Sequence, residues 1–163
     1  MSQAHLHLLI THLPVFGSIL GAFVLGYGIW TKSNQTKNAG YFIFIISAIG
    51  AGIAYLTGEG AEEAVENIQG VSENIIELHE DAALYALISL IALGILSVIA
   101  LALNRFKPSL IKSISILTLV VSFISFGLVA RTGYLGGQIR HTEIATGSVQ
   151  NIDGSKGGEK DDD

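Results

Sequence analysis

The chain has 163 residues, half of them hydrophobic and 14% charged, with a net charge of −5 and a mean hydropathy of +0.54. A soluble domain usually has about 25% charged residues, so this composition points away from one. No cysteine is present, which excludes disulfides, thiolate metal sites, iron–sulfur clusters and covalently attached c-type haem.

Four stretches approach or reach the roughly 20 apolar residues that cross a bilayer. The first, about 8–30, opens on the segment HLHLLITHLPVFG at 5–17, which contains His5, His7, His12 and Pro14. It reads as a retained span rather than a cleavable signal. It lacks a basic leader, its apolar run is long, and Thr-Lys-Ser-Asn follows it in place of a small-residue cleavage site. Pro14 removes the hydrogen bond to the carbonyl of Ile10 and permits a kink, so the residues before it can form a separate piece. On a regular helix His7 and His12 would point about 140° apart, whereas His5 and His12 would nearly eclipse. The second span is about 39–57. Gly17 and Gly21 in the first span, and Gly50 and Gly52 late in the second, suit close helix packing or room for a flat macrocycle.

The connection at 58–81 follows Thr57-Gly58, which reads as a helix stop. A short helical piece is expected over 61–68, with Glu62, Glu63 and Glu66 on its wet face. Ser72 is a plausible N-cap for a helix running into the third span, about 82–103. On that helix Ile75 and His79 share one face, and Glu73, Glu77 and Asp81 another. The fourth span, about 110–130, tolerates Lys112 because a lysine near a helix end can snorkel. Residues 1–142 thus form one membrane domain. The Gly- and Asp-rich stretch 143–163 reads as a disordered extracytoplasmic tail.

The loops divide by charge. Lys32 and Lys37 lie between spans one and two, and Arg105, Lys107 and Lys112 at the junction of spans three and four. All fourteen acids lie in 58–81 and the C-terminal stretch. The positive-inside rule places the basic loops in the cytoplasm, and both termini and the acidic connection outside. Arg131 and Arg140 on the outer side oppose this mildly. The expected fold is therefore an all-α, four-helix transmembrane bundle, up-down-up-down, with a short outer helical connection between spans two and three. Its expected home is a bacterial inner membrane.

That topology gathers all five histidines at the outer end: His5, His7 and His12 before or early in span one, His79 before span three and His141 after span four. Ionisable groups at membrane depth tend to face the bundle interior and mark functional sites. Neutral imidazole suits haem iron, zinc, copper and non-haem iron. His12 and His79 offer a pair at matching levels of two parallel spans. Arg131 and Arg140 lie where haem propionates would emerge, and Tyr134 and Gln138 could add hydrogen bonds. His7 and His141 form an outer pair for a second haem or for support of the first. The competing site joins His12 or His79 to Glu62, Glu63, Glu66, Glu77 or Glu80 around zinc, copper or a di-iron centre. The chain lacks the paired Glu-x-x-His of di-iron bundles and the His-Glu-x-x-His of zinc proteases.

The pattern His7-x4-His12-Leu13-Pro14, Thr57-Gly58, His79, Gly133-x-x-Gly136-Gly137 and His141 resembles the domain of unknown function 2231 family of small bacterial four-span membrane proteins. The resemblance covers about residues 5 to 142. It implies the topology and the histidine positions, not a reaction, and His5 lies outside its pattern.

The resulting expectation is a b-type cytochrome holding one haem b, or two, by bis-histidine ligation at the outer end. It would exchange electrons with a quinol or an extracytoplasmic redox protein. Six-coordinate iron leaves no open position for a substrate, so the chain is not read as an enzyme by itself. The alternative is a His/Glu zinc or copper site at the same end. The expected surroundings are the lipid bilayer and a larger membrane complex or homo-oligomer, with no nucleic acid.

Overall fold

The computed structural model describes residues 2–66, 68, 71–106 and 108–140, and among them there is helix but no strand. The helices are α1 (Gln3–Ile10), α2 (His12–Trp30), α3 (Asn34–Leu56), α4 (Gly58–Glu62), α5 (Glu73–Phe106) and α6 (Ile111–Arg140). The tail beyond Arg140, with His141, lies outside the described residues.

Local chemistry sets the breaks. Ser2 caps α1, its side chain accepting from the His5 backbone N–H. Thr11 separates α1 from α2, three residues before Pro14, whose missing N–H leaves the Ile10 carbonyl without its usual helical partner. The α2–α3 turn is tight. Ser33 N–H donates to Gly28 O at 3.0 Å and Lys32 N–H to Ile29 O at 3.2 Å. Lys32 takes the left-handed conformation (φ 55°) that such a helix stop requires. Ser33 then caps α3 by accepting from Thr36 N–H.

The acidic connection differs from expectation. Its helix spans Gly58–Glu62 rather than 61–68. Gly58 does not adopt a left-handed stop. The break falls at Thr57 (φ −99°, ψ 0°), whose hydroxyl donates to the Ile53 and Ala54 carbonyls, and helix resumes at once. Ser72 stands immediately before α5, as the sequence implies, and its carbonyl accepts from Ile75 and Ile76.

Four segments are long and apolar enough to cross a membrane: Gln3–Trp30, Asn34–Leu56, Glu73–Phe106 and Ile111–Ile139. Between 28% and 39% of the most apolar window of each is buried within the protein. The rest presents Leu20, Phe23, Ile46, Ile49, Ile88, Ile95, Phe123 and Ile124 outward. Water would penalise so large an apolar exterior, whereas lipid suits it. Exposed aromatics mark both ends: Tyr27, Trp30 and Phe106 at one, Tyr55, Tyr85 and Tyr134 at the other. That is the distribution of a multi-pass membrane protein with aromatic belts.

Helices pack α2 on α3, α3 on α5, α5 on α6 and α6 on α2, closing a four-helix ring. Leu25, Tyr41, Phe44, Leu90 and Leu93 fill its centre. Small residues set the α2–α3 spacing. Gly21 faces Phe44, Gly28 faces Lys37, Gly40 faces Leu25 and Gly50 faces Leu13. The descending register makes these two helices antiparallel. It also assigns Gly17, Gly21 and Gly50 to packing rather than to a macrocycle slot.

At Gly28 an added Cβ would lie 2.7 Å from the Lys37 backbone nitrogen, which cannot swing aside. Gly28→Ala is expected to destabilise the bundle by about 1–3 kcal/mol, the usual cost of overpacking. At Gly52 an added Cβ meets nothing within 4 Å, so Gly52→Ala should cost far less. Unfolding in detergent by denaturant compares the two, and equal losses would contradict the packing described.

Candidate functional site

The end of the bundle opposite the lysine-bearing α2–α3 turn collects the described histidines, and helical phase decides which of them turn inward. α1 packs on the end of α3 and on α4. This brings His7 to the last turn of α3. Its Nδ1–H donates to Ala54 O at 2.8 Å, and Nδ1 lies 3.4 Å from Thr57 Oγ1. Carbonyls in the last turn of a helix lack intrahelical partners, so the imidazole satisfies one and complements the negative helix end.

His79 enters from α5. Its Nδ1–H donates to Thr132 O of α6 at 2.9 Å. Gly136, one turn on from Thr132, leaves room for the ring: a Cβ there would stand 3.0 Å from His79 Cε1 and 3.2 Å from Nδ1. At Gly58 an added Cβ would stand 3.9 Å from His7 Cε1, an ordinary contact, so the His7 ring does not require that glycine. The two imidazoles thus turn inward at the same end of the bundle, from α1 and from α5. Each Nδ1 bonded to a carbonyl must carry the proton. In the neutral imidazole Nε2 then keeps its lone pair, which is the arrangement of a ligating histidine oriented by its other nitrogen.

The expected pairing of His12 with His79 takes a different form here. His12 is exposed; its Nδ1–H returns to Leu8 O at 2.8 Å, and its ring stacks on Phe16 with centroids 6.0 Å apart. The cause is helical phase. Thr11 keeps right-handed helical angles (φ −60°, ψ −22°), so His7, seven residues before buried Pro14, continues the inward stripe of α2, whereas His12 lies about 140° from His7. His5 is exposed beside Ser2 Oγ. Arg131 and Tyr134 are exposed at the same end and Gln138 is half-buried, while Arg140 closes α6.

The carboxylates form a separate group. Glu62, Glu66 and Glu73 line a cleft of about 340 Å³ with Val71 and Ile76. The Glu62 carboxyl is held above the usual carboxylate range, chiefly by its hydrogen bond to Glu80, then by desolvation and the Glu80 charge. A raised carboxyl pKa favours the fold while the proton is bound. That contribution is complete below the ordinary carboxylate range and is lost as pH rises through the raised value. Among the described residues, no three His, Asp or Glu side chains are grouped to hold a metal ion.

Sequence reasoning missed two partners, the Ala54 and Thr132 carbonyls, because main-chain acceptors carry no residue signature. It also missed a row of buried hydroxyls on α6, for which Ser115, Thr118, Ser122 and Ser125 at helical spacing were a readable signal. In comparisons with known proteins, the chain matches no family model, no curated protein and no solved structure.

Gly136→Ala is expected to push the His79 ring off Thr132 while leaving the bundle folded. In ¹⁵N NMR of the labelled protein, the His79 Nδ1–H signal should shift or broaden and that of His7 should persist. An unchanged His79 signal would show that the glycine does not position the ring.

Proposed function

We propose that the chain is a b-type cytochrome of four antiparallel spans, up-down-up-down, whose haem iron is held by His7 and His79 at the extracytoplasmic end. The observation that carries this reading is a pair of inward-turned imidazoles at the same end of the bundle, on different helices. Each is fixed through Nδ1–H to a backbone carbonyl, with Nε2 left free. The donor set fits a haem that takes one neutral imidazole on each face. Glycine backbone at Gly136 gives the His79 ring room, and an added Cβ at Gly133 or Gly137 meets nothing within 4 Å. Arg131 at the same end suits a propionate.

Bound haem b would supply one-electron transfer. The protein's own part is orientation. Ala54 and Thr132 carbonyls hold the rings' tautomers, α1 and α4 cover the end of α3, and the apolar spans keep the site at the membrane edge. An electron partner at that surface would be a quinol or an extracytoplasmic redox protein. The lysines and arginine at the opposite end support an outward-facing site by the positive-inside rule. A His/Glu zinc or copper centre has less support, since no third His, Asp or Glu among the described residues joins the pair.

The test is the visible spectrum of the full chain expressed with ample haem, together with its His7→Ala, His79→Ala and His12→Ala variants. Wild type and His12→Ala are expected to show a low-spin spectrum, and the other two to lose it or turn high-spin. In right-side-out membrane vesicles, an impermeant reductant should reduce the wild-type haem. Zinc or copper in place of haem would overturn the reading. So would a low-spin signal that survives His7→Ala but not His12→Ala.

A further inference from the structure

The inward seam of α6 is unusual for a membrane span. Ser115, Thr118, Ser122 and Ser125 are all buried, and they follow one another at intervals of three or four residues. At 1.5 Å per residue they cover about 15 Å of the bundle axis, in steps of about 4.5–6 Å. Tyr41 of α3 reaches across to the first of them, its hydroxyl 2.7 Å from Ser115 Oγ. Beyond it, at the basic end, Asn104 Nδ2–H donates to Asn38 Oδ1 at 3.0 Å.

Packing alone would account for small side chains here, and three of the hydroxyls bond back to their own helix: Ser115 to Ile111 O, Thr118 to Ile114 O and Ser122 to Leu119 O. It does not account for the two buried side-chain atoms that lack a partner among the described residues. These are Ser125 Oγ, fully buried at the far end of the row, and Asn104 Oδ1 at its near end. An unsatisfied buried polar atom costs about 1–3 kcal/mol, and internal water is the common remedy. The two orphans bracket the row.

We propose that the α6 hydroxyl seam is a hydrated track that passes protons between the Asn38–Asn104 end of the bundle and the level of Ser125. One water bridges a step of about 5 Å between two hydroxyls, since each hydrogen bond spans about 2.8 Å. For a transfer, each hydroxyl turns its proton from the carbonyl of its own helix to the next water and accepts one from the water before it, so no bond order or oxidation state changes. Beyond Ser125, buried Val129 is the one apolar seam residue before Thr132, whose carbonyl holds His79. It is the narrow step that keeps the passage slow. The track does not depend on the haem reading, because its residues and its readout are separate from the histidine pair.

The experiment uses the full chain in vesicles containing a trapped pH-sensitive dye, with a pH step imposed and valinomycin and potassium present to offset charge. Proton entry is expected to exceed that of protein-free vesicles several-fold. Ser122→Ala/Ser125→Ala should bring it within about twofold of the protein-free level, without loss of helicity, since the change at Ser125 removes an unpartnered hydroxyl. Ser125→Thr, and Ser113→Ala on the exposed face of α6, should leave it unchanged. The isosteric Val129→Thr should raise it. The inference is overturned by wild-type flux equal to that of protein-free vesicles, by a double variant that conducts like wild type, or by a Val129→Thr flux no higher than wild type.

Discussion

Apolar helices in a bilayer gain nothing by leaving lipid for one another, so this bundle depends on how closely its backbones can approach. The α2–α3 pair shows the constraint at its tightest. Gly21 meets a phenyl ring and Gly28 meets main chain, at distances that exclude a methyl group. From that contact follows the register that sets Leu13 against Gly50 and carries the α1 segment to the end of α3. Close packing therefore fixes more than stability. It decides which carbonyl is available to His7.

The histidine end shows how a backbone device becomes a chemical one. The turn at Thr57 starts α4 at the end of α3, and each inward imidazole is seated by a short hydrogen bond to main chain, with Thr57 Oγ1 beside that of His7. Such bonds hold the ring's direction and its tautomer together. Gly136 adds the steric half of that control at His79. The hydroxyl row on α6 lies deeper, between the basic end and this site. It brings polar character into a region where each unsatisfied group is expensive.

Much of the architecture was legible in the sequence because it follows from run length and charge. Four apolar stretches, two short basic loops and the gathering of histidines at one end needed no tertiary information. Ser72 as the start of a helix and the outward face of Glu73, Glu77 and Asp81 were also readable from spacing. What spacing alone did not decide was which face of the first helix packs inward. A five-residue separation makes His7 and His12 alternatives, and the inward stripe is the one that carries Pro14 and Ser18, seven and eleven residues after His7. Thr57-Gly58 misled in a related way. The pair looks like a stop, yet the helix restarts because the glycine stays out of the left-handed region.

The central claim is that His7 and His79 present their Nε2 lone pairs to one ligand while His12 does not. It is tested most directly by ¹⁵N solid-state NMR of histidine-labelled protein in bilayers during haem titration. The account predicts that the Nε2 resonances of His7 and His79 disappear together as haem is added, with the His12 resonance retained. Loss of the His12 resonance together with that of His79, while His7 stays unchanged, would contradict it.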